Sequence, residues 1–165
     1  MPDEASSSIW ETLAQTAPAV FVREAAWAYP ALETLHLIGI ALVFGSILAY
    51  DLRVLGRSAD LRLDGLGRHL LPWVWGGFFL NAMSGTALFI SDAAEFAANP
   101  ALVVKLGLIL LAGLNALYFQ MRVKPFSSTW NENAKAPFHA RASALFSILI
   151  WIGVVTAGRM MAYVK

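Results

Sequence analysis

Apolar residues fill four long stretches of this chain, and polar residues collect between them. The stretches cover residues 31–50, 70–90, 100–121 and 144–164. Each has about the 20 residues that an α-helix needs to cross a hydrocarbon core of roughly 30 Å. The short link between the second and third stretches ends in Asn99 and Pro100, which predict an N-cap followed by a first-turn proline at the start of the third helix. This short link and the even number of helices favour an antiparallel four-helix bundle. The pattern therefore predicts an all-α integral membrane protein whose bundle comprises residues 31–165.

The first 30 residues form an N-terminal segment in which residues 8–26 have the pattern of an amphipathic helix. Ser8 and Glu11 have the spacing of a capping box, and Pro18 is expected to bend or split the helix. The apolar residues that recur on one helical face are Trp10, Leu13, Ala17 and Phe21. Asp3 and Glu4 stand where a signal peptide carries basic residues, so no signal peptide is expected. Two alternatives follow: an interfacial helix on the membrane surface, or a helical lid packed on the bundle.

Lys and Arg residues are distributed unequally around the four predicted helices. One side has eight, in the loops 51–69 and 122–143: Arg53, Arg57, Arg62, Arg68, Arg122, Lys124, Lys135 and Arg141. The flanks on the other side have two, Arg23 and Lys165. Because basic loops remain in the cytoplasm, the distribution predicts a multi-pass protein of the bacterial inner membrane with both termini in the periplasm.

The composition agrees with a membrane protein and excludes several functions. Hydrophobic residues make up 58% and charged residues 14% of the chain, whereas soluble domains carry about 25% charged residues. A net charge of +1 without a basic stripe argues against a nucleic-acid partner. The absence of cysteine excludes disulfides, thiolate metal sites and covalent haem attachment. With no nucleophile–base grouping or phosphate loop, an electron-transfer or binding protein is favoured over an enzyme.

Three ionisable residues are predicted to share one depth in the membrane. His36, Lys105 and Arg159 each lie about five residues inside a predicted helix, counted from the same side. At 1.5 Å per residue this depth is about 7–8 Å. Ionisable residues at such a depth are costly and mark functional sites. Only Glu33 lies near enough to pair with His36. The alternative is that Lys105 and Arg159 extend to the lipid headgroups and His36 is a structural histidine.

The other two histidines of the chain lie at the ends of the helices opposite to His36. His69 is predicted to open the second helix and His139 the fourth, at matching height near the cytoplasmic boundary. In a sequential bundle these helices are diagonal, which would allow both imidazoles to ligate one haem iron. The neighbouring Arg68 and Arg141 favour the alternative of two solvated interface histidines.

Several segments resemble an uncharacterised family of small bacterial four-helix membrane proteins. They are residues 33–39, 51–56 and 151–163, together with the helix of Lys105, and the resemblance covers roughly residues 31–164. In layout that family is similar to b-type cytochrome membrane domains and to copper-resistance inner-membrane proteins. Such cytochromes place paired histidines at two levels. This chain has three histidines, so at most one bis-histidine haem is expected.

The first function hypothesis is a haem b-binding redox protein. Its expected contacts are His36 as an axial ligand, Lys105 and Arg159 at the propionates, and Trp151 in the pocket wall. Electrons would pass to a periplasmic or quinone partner. In this hypothesis His36, His69 and His139 are the candidate metal ligands.

The second hypothesis is a membrane protein without a redox role. One form handles copper through His36 together with Met83 and Met160, because thioether sulfur selects Cu(I). The other form is a homo-oligomeric scaffold without a cofactor. The many glycines fit close helix packing, which is their commoner role in membranes, or leave room for a flat ligand.

Overall fold

The computed structural model describes residues 9–164, and every regular element in that range is helical. Helices α1 (Ile9–Ala14) and α2 (Ala17–Glu24) precede two long helices, α3 (Ala28–Val54) and α4 (Leu63–Ser91). A short α5 (Ala93–Ala98) leads into α6 (Pro100–Tyr118). The chain continues as a π-helical turn (Phe119–Val123) and a 3₁₀ helix (Lys124–Trp130), and ends with α7 (Phe138–Met160).

Four helical segments are long and apolar enough to cross a membrane, as predicted. They are Ala28–Val54, Leu63–Ser91, Pro100–Trp130 and Phe138–Met160. In the most apolar 18-residue window of each, only 11% to 39% of the residues are buried inside the protein. Most of this apolar surface therefore suits a hydrocarbon solvent. Most segments extend beyond the predicted bounds because the helical backbone continues past the last residue that hydrocarbon favours. The fourth begins at Phe138 instead of 144, but it ends at Met160, four residues before the predicted end at 164.

The closest helix contact is between α3 and α4, at two glycines that face each other. A Cβ atom added to Gly39 would lie 3.0 Å from the Gly77 carbonyl oxygen, and one added to Gly77 would lie 2.8 Å from the Gly39 oxygen. Larger residues at these positions would force the backbones apart, so both glycines have the predicted packing role. Four other glycines do not have this packing role, since an added Cβ atom would meet nothing within 4 Å: Gly45, Gly76, Gly107 and Gly113.

Helix α6 packs on α7 through one polar pair and an apolar cluster. The Asn115 side-chain amide donates to the Ser143 carbonyl oxygen (3.2 Å), and the Ser143 hydroxyl donates back to Asn115 Oδ1 (2.9 Å). Beside this pair, Ala112, Ile150 and Val154 form a buried cluster. Reciprocal hydrogen bonds satisfy both polar groups within an apolar interface and fix the register of the two helices.

Asn99 joins the start of α6 to the end of α7. Its Oδ1 accepts a hydrogen bond from the Ala101 N–H (2.9 Å), so the predicted N-cap before Pro100 is confirmed. Its amide nitrogen donates to the carbonyl oxygens of Met161 (3.0 Å) and Val164 (2.7 Å). One side chain therefore satisfies backbone groups at the ends of both helices.

Arg53 holds the loops together at the opposite end of the molecule. The residue is 2% exposed, and its guanidinium donates to the carbonyl oxygens of Ala59, Leu61 and Asn131. The N–H of Leu63 also donates to the Asn131 carbonyl, at 3.0 Å. These bonds connect the loop after α3 with the segment before α7. Beneath them lies the largest buried apolar cluster, which includes Val54, Leu63, Phe119, Val123, Trp130 and Ala140.

The N-terminal helix is split near Pro18, as the sequence predicts. Pro18 occupies the first turn of α2, where its missing N–H costs nothing. The predicted apolar face was wrong in the second half, because the break resets the helical phase. Helix α2 buries Ala19 and Val22, whereas Phe21 is 55% exposed.

Both N-terminal helices pack on the rest of the protein, which agrees with the lid alternative. Helix α1 contacts α4 and α5, and α2 contacts α3 and α4. The rings of Trp10 and Phe89 meet edge to face at 5.7 Å, and Arg23 donates to the Ser91 carbonyl oxygen. Ser8, the first residue of the predicted capping box, lies outside the described residues.

Candidate functional site

His36 lies half-buried in α3, and both of its ring nitrogens have partners. Nδ1 is 3.1 Å from Ser84 Oγ in α4, and Nε2 is 3.5 Å from Lys105 Nζ in α6. An ammonium group has donors only, so Nε2 is the acceptor and the network assigns the proton to Nδ1. The Ser84 hydroxyl donates onward to the Leu80 carbonyl oxygen at 2.6 Å. We call the three side chains of His36, Ser84 and Lys105 the His36 cluster.

Two glycines determine how tightly the His36 cluster is enclosed. A Cβ atom added to Gly85 would lie 3.0 Å from His36 Cε1, a closer approach than most side chains tolerate. One added to Gly158 would lie 3.6 Å from Lys105 Nζ, an ordinary van der Waals distance. Helix α4 therefore holds the edge of the imidazole firmly, while the ammonium group has more room.

Lys105 carries a charge that no described carboxylate neutralises. Within residues 9–164 the ion pairs are Arg62–Asp64 (3.4 Å) and Arg68–Asp64 (4.0 Å), both outside the His36 cluster. Glu33, the predicted partner of His36, is exposed and makes neither a hydrogen bond nor an ion pair with the ring. The ammonium of Lys105 has three N–H donors, of which the contact with His36 uses one. A half-buried cation with spare donors favours a ligand that supplies acceptor oxygen atoms.

The contacts of Arg159 and Trp151 are with residues outside the His36 cluster. Arg159 is exposed, donates to the Tyr163 hydroxyl at 3.0 Å, and stacks over the same ring at 5.3 Å. This exposed position is the one that extension to the headgroups requires. Trp151 packs beside the apolar cluster of α6 and α7. Of the three residues predicted at one depth, His36 and Lys105 are the two that the structure brings together.

The other candidate metal ligands are exposed. His139 lines a cleft with residues of the third span, and His69, on α4, is not among the residues of that cleft. Met83 and Met160 are also exposed. In the described part of the chain, no group of three or more His, Asp or Glu side chains is placed to hold a metal ion. Ligation of one haem by His69 and His139, and copper binding by His36 with methionines, stay predictions.

The sequence reasoning overlooked two polar side chains inside the spans. Asp51, near the end of α3, is 6% exposed and its Oδ2 has no hydrogen-bond partner in the described structure, while Ser147 bonds the carboxyl group. Asn81 Oδ1 is likewise buried without a partner. The available signal was a carboxylate directly after the first apolar stretch and an amide within the second, since membranes rarely tolerate such groups without a role.

Searches against protein-family models, curated proteins and solved structures returned no match for this chain. The similarity to small bacterial four-helix membrane proteins therefore stays a prediction. The contacts of the His36 cluster bear most directly on function, because they join three of the four apolar spans within the membrane-spanning part of the molecule.

Proposed function

We propose that this chain is an antiparallel four-helix bundle in the bacterial cytoplasmic membrane, with both termini in the periplasm. Contacts within each helix pair support the antiparallel arrangement. His36 meets Gly85 and Tyr50 meets Gly67 along α3 and α4. Along α6 and α7, Lys105 lies by Gly158, and Asn115 bonds Ser143. The eight-to-two distribution of basic flanking residues supports the orientation.

The function that we propose is the binding of a membrane quinone at the His36 cluster, as part of an electron-transfer system. The observation that carries this proposal is the half-buried Lys105 ammonium, which touches His36 and has no carboxylate partner among the described residues. A quinone carbonyl oxygen accepts hydrogen bonds from such a donor. The apolar quinone ring and tail suit the hydrocarbon around the helices, so the ligand can reach the cluster from the bilayer.

Haem b at His36 stays a prediction, and the present side chains fit it less well. An iron atom would need the Nε2 lone pair, which faces Lys105. The close approach of Gly85 limits movement of the ring away from that contact. With Arg159 bonded to Tyr163, Lys105 would be left to pair with the propionates. When bound, haem would supply one-electron redox chemistry.

The absorption spectrum of the purified protein, as isolated and after dithionite, separates these two ligands. With a quinone we expect no Soret band from haem-replete cells. If a Soret band is present and His36→Ala abolishes it, the ligand at His36 is haem b and the quinone proposal is contradicted. Acid acetone would then extract the pigment, since the chain has no cysteine for covalent attachment.

Quinone binding itself can be measured on the ring nitrogens of His36. The protein, labelled with ¹⁵N-histidine in lipid nanodiscs, is titrated with ubiquinone-1. We expect the His36 signals to shift and saturate in the wild type, and the quinone-dependent shift to disappear in Lys105→Met. The matched control is Lys124→Met, which removes an exposed lysine outside the cluster. An equal quinone response in both variants, or no response in the wild type, would contradict the proposal.

A further inference from the structure

A cleft of about 560 Å³ opens between the end of the third span and the start of α7, away from the His36 cluster. Its walls include three basic or titratable side chains and three aromatic side chains: Arg122, Lys135, His139, Phe126, Trp130 and Tyr118. No Asp or Glu is among its lining residues. The cleft therefore presents positive charge without an internal counter-ion.

The donors of this cleft are available for a ligand. The side chains of Arg122, Lys135, His139 and Tyr118 are exposed, and within residues 9–164 none of them makes a hydrogen bond or ion pair. The hydroxyl of Thr129, also in the wall, is already used, because it donates to the Phe126 carbonyl oxygen at 3.0 Å. Guanidinium and ammonium groups bind phosphate oxygens with short, charge-assisted hydrogen bonds.

The wall of the cleft is held in place by the fold. Trp130 is buried in the main apolar cluster together with Val123. Arg122 belongs to the π-helical turn Phe119–Val123, a local irregularity of a kind that is frequent at functional sites. Arg122 thus extends from a helical turn that also contributes Val123 to the buried cluster.

Exposed apolar side chains beside the cleft indicate where its ligand comes from. Phe126, Met121 and Phe138 are 68%, 64% and 85% exposed. They lie at the ends of two apolar spans, Pro100–Trp130 and Phe138–Met160, where headgroups meet hydrocarbon. A free phosphate ion would make no contact with these apolar side chains. A phospholipid presents a phosphate and acyl chains together, so it can contact both the cationic and the apolar side chains.

We propose that this cleft binds the phosphate headgroup of an anionic phospholipid. Arg122 and Lys135 pair with the phosphate, His139 and Tyr118 donate hydrogen bonds, and Phe126 contacts the acyl chains. Basic pockets between membrane helices recognise anionic lipids in this way. The inference is independent of the quinone proposal, since it concerns the other end of the molecule.

The test compares lipid retention by two double variants of equal charge. Protein from nanodiscs of mixed phosphatidylcholine and phosphatidylglycerol is released into mild detergent, and bound phosphatidylglycerol is counted by native mass spectrometry. We expect the double variant Arg122→Gln with Lys135→Gln to retain less phosphatidylglycerol than the wild type, by about fivefold for each charge removed. This is the effect of one basic residue near an anionic surface. Arg57→Gln with Lys124→Gln, which removes two exposed basic residues outside the cleft, should retain the lipid.

Circular dichroism and phosphatidylcholine binding check that both variants are folded. Equal loss of phosphatidylglycerol in the two double variants would overturn the proposal, because general surface charge would then explain retention. Inorganic phosphate is added to the protein in phosphatidylcholine nanodiscs as a second arm. If phosphate shifts the His139 ring signals saturably and the protein retains no lipid selectively, the cleft binds a free anion. That result would overturn the proposal of a phospholipid ligand.

Discussion

The imidazole of His36 is held from two sides by groups of opposite hydrogen-bonding character. Lys105 can only donate to it, and Ser84 accepts because its own proton goes to the Leu80 carbonyl oxygen. The tautomer of the ring is thereby determined by its neighbours. Gly85 adds a steric condition, since it leaves space for the ring edge that no other residue would leave.

Gly85→Ala should displace the His36 ring. The added methyl group would lie 3.0 Å from Cε1, and overpacking of this kind costs about 1–3 kcal/mol in stability. We expect a lower midpoint of thermal unfolding in nanodiscs and altered ¹⁵N shifts of His36, because the hydrogen bond to Ser84 is lengthened.

Gly107→Ala is the matched control, since an added Cβ there meets nothing within 4 Å. Alanine also favours a helix over glycine by about 1 kcal/mol, so this control should be neutral or stabilising. Unchanged His36 shifts in Gly85→Ala would mean that the ring is not confined by α4.

The ends of α6 and α7 depend on Asn99, whose two functional groups act on different helices. Its oxygen caps α6, and its nitrogen holds the last carbonyl groups of the chain before Lys165. Aspartate is as good an N-cap as asparagine but cannot donate. Two substitutions can therefore separate the two roles.

Asn99→Asp should loosen the end of α7 and leave the start of α6 intact, because a carboxylate would face the Met161 and Val164 carbonyl oxygens. Asn99→Ala should loosen both ends and cost about 1–2 kcal/mol. Hydrogen exchange of peptides covering residues 99–105 and 158–164 distinguishes the variants. The same exchange pattern in both would show that one side-chain group serves both helices.

Depth along a helix could be predicted from the sequence, but rotation about the helix axis could not. Counting residues placed His36 and Lys105 at one level, and their contact agrees with that. Arg159 was counted to the same level, yet its side chain is turned to Tyr163. In hydrocarbon the outer face of a helix is apolar as well, so the sequence carries little amphipathic signal to fix rotation.

Local chemistry was predictable where one residue decides it, as with Asn99 before Pro100 and the break near Pro18. Pairings across long sequence distances, such as Asn115 with Ser143, were not.

The whole molecule is polarised, with the His36 cluster near one end and the cationic cleft near the other. The distribution of Lys and Arg predicts that the cleft faces the cytoplasm. The homo-oligomer also stays a prediction. The apolar window of the span Pro100–Trp130 has the smallest buried share of the four, 11%, so most of this span is open to a second copy.

Single cysteines can test the orientation, because the chain has none of its own. Glu95→Cys and Arg57→Cys lie at exposed positions in the links after α4 and after α3. We expect a membrane-impermeant maleimide to label Glu95→Cys in intact cells and Arg57→Cys only after permeabilisation. The reverse labelling would place the His36 cluster in the cytoplasmic half of the membrane.

Arg53 has a further consequence for how the protein is made. Two of its acceptors lie within eight residues, but the Asn131 carbonyl is 78 residues further along the chain. The chain is synthesised from its N-terminus, so this acceptor is added long after Arg53, and until then the guanidinium stays partly hydrated. In the orientation that we propose, Arg53 at this stage contributes to retaining the first loop in the cytoplasm. It becomes a buried link only when the second helical hairpin arrives, so one side chain acts first in insertion and then in assembly.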